Sequence, residues 1–312
     1  MLLPCFTLVC RLSWPWVAAG AALSVLYYYI VFRRLAERSV RLGGFGKALL
    51  LLQAVALLVL TALISHSVSA LFPQIDGTVW AGLGVLALAA FAAQKGVAAV
   101  LRCGSVLMVP MVVVFAAVLV LGLPSAKLEW LVPQGEPPQA LFVLLLFLLP
   151  SALSQLMPHV RQHNGKPWHW AAGLGVLALA ASAVVAARLS PALAERPMSF
   201  YTLSKSITVF GVMLRLEVFV FGALTAGAFL SMALLLCVAE KAVRTALPVP
   251  EQTPAVLLIA PAAALLSLLS SAILEKAALA SAIFCVVFSV LTQAVGQGKI
   301  IEKKTDFFQK SS

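Results

Sequence analysis

The stretch SKSITVFGVMLRLEVFVFGALTAGAFLSMALLLCVAEK, from Ser204 to Lys241, decides how the chain is read. As one unbroken helix it would run over roughly 57 Å at about 1.5 Å per residue, well beyond a hydrocarbon core of about 30 Å. It therefore breaks, and Gly211 is the natural point, with a short interfacial helix before it and a membrane span over 214–239 after it. Arg215 and Glu217 then fall in the first turns of a lipid-spanning helix, where a charge is costly unless something holds it. Two residues apart on a helix, they point about 200° away from each other and need separate partners. Arg215 snorkels to the outer surface, whereas Glu217 faces the bundle and meets a basic residue such as Lys205, Arg188 or Arg196, or else is protonated. The pair is either a staple that fixes an outer cap or a gating or proton-coupling element.

The rest of the chain fits that reading. Its 312 residues are 62% hydrophobic and 11% charged, with a mean hydropathy of +1.04. A soluble domain of this size needs far more polar surface, so the composition predicts an all-α, polytopic membrane protein. Apolar runs occur at 16–32, 48–65, 79–93, 104–123, 140–157, 169–187, 214–239, 255–274 and 277–295, nine spans that lipid forces into helices because it offers the backbone no other partner. The run at 79–93 is short and needs 94–99 to complete it. Only Glu275 and Lys276 separate the last two. Tryptophans at the ends of runs (Trp14, Trp16, Trp80, Trp130, Trp168, Trp170) fit interfacial anchoring, since an indole has an apolar body and one donor to leave near the headgroups.

The net charge of +11 would suggest nucleic acid in a soluble protein, but here the basic residues sit in short connections between apolar runs. Fifteen of the 22 fall on alternate connections, and the positive-inside rule makes that side cytoplasmic. The other side holds Arg11, Lys127, Arg188, Arg196, Lys205, Arg215 and Lys276, four of these seven in the long connection that leads to Arg215. Its prolines, Pro191 and Pro197, suggest an ordered extracytoplasmic cap. Cys5, Cys10, Cys103, Cys237 and Cys285 are odd in number, form no CxxC pair and read as small buried side chains. His159 and His163 have the i,i+4 spacing of metal ligands, but a turn follows at once and no carboxylate or cysteine lies nearby, so no metal and no cofactor is read from them. There is no phosphate loop and no nucleophile triad in a plausible context, and the chain reads as a non-enzyme.

Several stretches resemble the spore-germination permease family, the B subunits of endospore germinant receptors within the amino acid-polyamine-organocation superfamily. These are Leu2–Pro4 with Trp14 or Trp16 opening the next span, AQKGVAAVLRCGSVLMVPMVV at 93–113, the LVP at 131–133, and SKSITVFGVMLRLEVFVFGALTAGAF at 204–229. The last is the most specific, with a short serine-containing helix followed by an arginine-any-glutamate opening of the eighth span. The resemblance implies ten spans in the inverted-repeat (5+5) arrangement of leucine-transporter-like carriers, of which the nine here are the second to the tenth. Met1–Cys10, MLLPCFTLVC, then reads as the outer half of an incomplete first helix. It also implies an A-type subunit and a lipoprotein C-type subunit as partners, in the inner membrane of the spore. One departure stands out: family members commonly carry a Gly-Phe-Glu-like stretch in the sixth span, and this chain has Leu149, Pro150 and Ser151 there, with no acidic residue.

Candidate ligand contacts follow from polar groups inside the spans. Pro150 removes a helical N–H and frees a carbonyl, and Ser151, Ser154 and Gln155 share one face beside that break, either as a ligand site or bonded back to the helix. Gln53 lies deep in its span and His66 near the outer end, as pathway-lining residues or as polar glue between helices. Thr225, on the helix that follows Arg215, is placed to reach a central cavity or to pack. The expectation is a receptor that binds a small nutrient, an amino acid or a related molecule, and signals to partner subunits. A proton-coupled amino-acid transporter titrating Glu217 and a truncated, non-transporting paralogue are the alternatives.

Overall fold

A computed structural model describes residues 14–35, 44–71, 79–131, 167–189, 199–209, 212–213, 216–247 and 255–295. The segments outside these ranges include the half-span 1–10, the run 140–157 with Pro150, Ser151, Ser154 and Gln155, the pair His159 and His163, and Arg215. Nine α-helices make up almost all of what is described: α1 (Trp14–Leu35), α2 (Gly44–Ala70), α3 (Val79–Gln94), α4 (Val97–Gly122), α5 (Pro167–Arg188), α6 (Ser199–Lys205), α7 (Glu217–Ala246), α8 (Val256–Ser267) and α9 (Ser271–Val295). Eight of the nine expected spans fall on these helices. By length and composition three are able to cross a membrane, over Gly46–Ser69, Val97–Gly122 and Glu217–Ala246.

Three boundaries differ from the sequence reading, each for a local reason. Residues 94–99 do not complete α3; the chain turns at Lys95–Gly96 and starts α4 at Val97. Gly96 takes φ +89°, a backbone conformation strained for any residue with a Cβ, so the glycine ends one helix and starts the next. The break between the last two spans lies at 268–270, ahead of Glu275 and Lys276, which sit exposed within α9. Charges that face outward do not interrupt a helix, whereas the serines around the gap compete for backbone groups: Ser267 Oγ donates to Ala264 O at 2.7 Å. At 204–217 the short helix is α6, but Thr208–Val209 and Val212–Met213 form two antiparallel two-residue strands, paired Thr208 with Met213 and Val209 with Val212. The run Ile207-Thr208-Val209 is β-branched throughout and resists helix. Consequently α7 starts at Glu217 instead of 214, and it continues to Ala246.

At the centre, α2 packs most extensively on α7, and Leu57, Leu224, Met232, Leu235 and Leu236 are almost fully buried. A second unit pairs α1 with α5. By contrast α4 is largely open, with Val106, Val109 and Val113 all exposed, as suits a lipid-facing side. The closest approach of α2 and α3 is at Gly82, where an added Cβ would strike the Ser65 carbonyl oxygen and Ser69 Oγ.

The helix pairings have a hidden order. Replace α1 by α5, α2 by α7, α3 by α8 and α4 by α9, and the reverse. The pairs α2–α7, α1–α5 and α3–α8 map onto themselves. The pair α2–α9 becomes α7–α4, α2–α8 becomes α7–α3, α2–α3 becomes α7–α8 and α1–α9 becomes α5–α4, and all of these are close. The exception is α3–α4, whose image α8–α9 is not among the close pairs.

Candidate functional site

Gln53 and Thr225 are the two sequence-predicted contacts that the described residues hold on the central helix pair. Gln53 is 1% exposed, nine residues past the start of α2. Thr225 is half-buried, eight residues past the start of α7. The two therefore occupy matching places in helices that exchange with each other. Thr225 Oγ1 donates to Phe221 O at 2.9 Å, so its proton is used within its own helix, while its oxygen retains lone pairs for an incoming donor. The same back-bonding holds Thr61 to Leu57 O at 2.8 Å and Ser231 to Gly227 O at 2.7 Å. His66 is half-buried near the end of α2. Ser151, Ser154, Gln155 and Arg215 lie outside the described residues.

Glu217 is the first residue of α7 and half-buried. A carboxylate there faces the positive end of the helix dipole, worth about 0.3–1 kcal/mol. Two of the basic partners expected for it are engaged elsewhere. Lys205 Nζ lies 4.6 Å from the Tyr201 ring centroid. Arg188 donates from Nη1 to Gly122 O at 3.1 Å and, more distantly, to Leu121 O at 3.5 Å, and from Nη2 to Ser206 O at 2.6 Å. Among the described residues the ion pair that forms is Arg244 with Glu240 at 2.9 Å, far along α7.

Arg188, one of three possible partners offered for Glu217, takes a structural role among the described residues. Its guanidinium joins three helix ends: it terminates α5, binds carbonyls in the last turn of α4 and holds the carbonyl just past α6. Each end carries about half a negative charge on unpaired carbonyls. One planar cation with several donors offsets that concentration and forks between the carbonyls. The backbone adds a further tie, Lys127 N–H to Ala187 O at 2.7 Å, and Lys127 Nζ sits 4.9 Å from the Trp130 ring centroid. Beneath the knot, Phe200, Leu203 and Ile207 are fully buried, and the Phe200 ring packs 5.0 Å from that of Phe115. The cap over this end of the bundle is thus ordered by apolar side chains below and by one arginine above. The signal in the sequence was position: Arg188 directly follows an apolar run on the side that should be poor in cations.

Compared with protein-family models and with curated proteins, the chain matches none of them.

Proposed function

We propose that the chain is an amino-acid-permease-like membrane protein of the germinant-receptor B type, which binds a small nutrient between its helices and passes a conformational signal to partner subunits. The observation that carries this reading is the self-mapping of the helix pairs. Two sets of four helices whose close pairs exchange with one another, all but α3–α4, are what the inverted-repeat (5+5) leucine-transporter-like arrangement leads one to expect, and in that arrangement the ligand site lies at the repeat interface. Here the helices that exchange and pack most extensively are α2 and α7, which carry Gln53 and Thr225 at matching distances from their starts. The stretch at 204–229 supplies the link to germination, and with it come the A-type and lipoprotein C-type subunits and the spore inner membrane. Spores lacking this protein are expected to lose their response to at least one nutrient; an unchanged response to every nutrient tested would sink the proposal.

A second reading, a proton-coupled amino-acid transporter, draws on the half-buried Glu217 carboxyl, which forms no ion pair among the described residues. Reconstituted liposomes separate the two. Uptake driven by a pH gradient and abolished by Glu217→Gln favours transport, while ligand binding without flux favours the receptor.

A further inference from the structure

One face of α4 carries a cation above an apolar strip. Arg102 is the sixth residue of the helix, and Val106, Val109, Val113 and Val120 follow it on a single line to within about 40°. Arg102 is exposed, as are the four valines, at 72, 65, 61 and 63%. The opposite side turns inward: Phe115 and Val118 are buried, and a Cβ on Gly104 would meet Leu230 of α7 at 3.7 Å. Among the described residues Arg102 is met at its carbonyl, which accepts from Ser105 Oγ at 2.7 Å, while its guanidinium enters no ion pair. The other cation at this end, Lys95, lies with Nζ 5.3 Å from the Phe91 ring centroid.

The length of α4 fixes the level of Arg102. Its 26 residues measure about 39 Å, about 9 Å more than a hydrocarbon core, so the first turns reach the headgroups. Arg102 stands about 7.5 Å from the start, and a helical side chain leans back toward its N-terminus. The guanidinium is thereby carried to the phosphates, with the valines running down beside the acyl chains. Close helix contact in a bilayer favours small residues, and the small one here, Gly104, already faces α7.

α9, the helix that exchanges with α4, repeats the pattern with one difference. Lys276 is its sixth residue and exposed, and Ala280, Ile283 and Val287, also exposed, follow at the spacing of Val106, Val109 and Val113. Glu275, exposed beside Lys276, leaves that turn without net charge, whereas α4 contains no acidic residue.

We propose that this face of α4 is a seat for an anionic phospholipid, with its phosphate on the Arg102 guanidinium and an acyl chain along Val106, Val109 and Val113. Charge complementarity selects the occupant. The planar guanidinium donates to phosphate oxygens through paired N–H groups, and with no carboxylate on its helix it favours a headgroup of net negative charge. On α9, Glu275 cancels that preference.

The test uses the full chain in detergent, titrated with dioleoyl phosphatidylglycerol or dioleoyl phosphatidylcholine, and native mass spectrometry reads the binding constant of the first lipid retained. The wild type is expected to hold phosphatidylglycerol more tightly. Arg102→Gln should weaken phosphatidylglycerol about fivefold, the scale for one cation at an anionic membrane surface, and leave phosphatidylcholine unchanged. Arg102→Lys should keep most of the preference, and Lys276→Gln all of it. Unchanged phosphatidylglycerol binding in Arg102→Gln overturns the proposal. So does an equal loss in Lys276→Gln, which would trace the effect to total charge, or an equal loss of phosphatidylcholine. Displacement of the lipid by glycerol phosphate at matching concentration would make the ligand a free phosphate ester and not a lipid. A wild-type dimer that becomes a monomer in Val109→Asp would mean that a second copy covers the strip. Both of those results overturn the proposal, as does an Arg102→Gln protein that fails to fold, because the guanidinium would then be holding the bundle itself.

Discussion

Gly82 and Gly84 lie two residues apart on α3 and offer a paired test of how the central helices meet. At Gly82 a Cβ would strike the backbone carbonyl oxygen of Ser65 and Ser69 Oγ, and would stand 3.0 Å from Ser65 Oγ. One of those atoms is main chain and cannot swing aside, so α2 and α3 must part. At Gly84 a Cβ meets nothing within 4 Å. Both substitutions to alanine gain the same helical preference, about 0.5–1 kcal/mol. Only Gly82→Ala also incurs the overpacking cost, about 1–3 kcal/mol. The shared gain cancels between the variants, so their difference isolates the clash, and unfolding constants should differ roughly 5- to 150-fold. Reversible unfolding in mixed micelles, followed by tryptophan fluorescence, reads that difference. Gly84→Ala is expected to be more stable than the wild type and Gly82→Ala clearly less stable than Gly84→Ala. Equal stability of the two variants would refute the close α2–α3 approach on which the central packing depends.

Two further outcomes follow from the cap and from α7. Arg188→Gln should lower stability by about 1.5–3 kcal/mol, the scale of hydrogen bonds to a charged group, and speed proteolytic nicking between 190 and 216; Arg188→Lys should recover only part of this, since one ammonium does not fork between carbonyls, and full recovery would show that charge alone holds the cap. Thr225→Val removes a hydroxyl whose proton already returns to Phe221 O, so the thermal midpoint should stay within about 0.5 kcal/mol of stability while ligand binding weakens; a lower midpoint with binding intact would make Thr225 a packing residue.

The helices were legible because long apolar runs in a bilayer leave the backbone one economical structure, and eight of the nine runs lie on described helices. Their ends were less legible, because hydropathy averages over many residues whereas a break is set by one or two. Gly96 ends α3 through its backbone angle, which no hydropathy window senses. Glu275 and Lys276 drew attention as a polar interruption, yet both project outward from α9, and the true gap passes through the less conspicuous Leu268–Ser270. At 207–213 a β-branched cluster outweighed the glycine that follows it. For the site, burial of Gln53 was readable from its place in an apolar run. Arg188 entered the sequence reading only as one possible partner of Glu217, because carbonyl clusters at converging helix ends have no signature in sequence.

The pairing of α3 with α8 has a consequence for the surrounding lipid. At 1.5 Å per residue the two measure about 24 and 18 Å, against a hydrocarbon slab of about 30 Å. Both short helices stand side by side, so the shortfall is concentrated on one flank and is not spread around the perimeter. Acyl chains there must compress, or headgroups must dip toward the protein, at a fraction of a kcal/mol for each ångström of mismatch. Should both helices stand within the bilayer, the membrane is expected to thin on that flank alone, and lipids of different thickness should shift the stability of the protein.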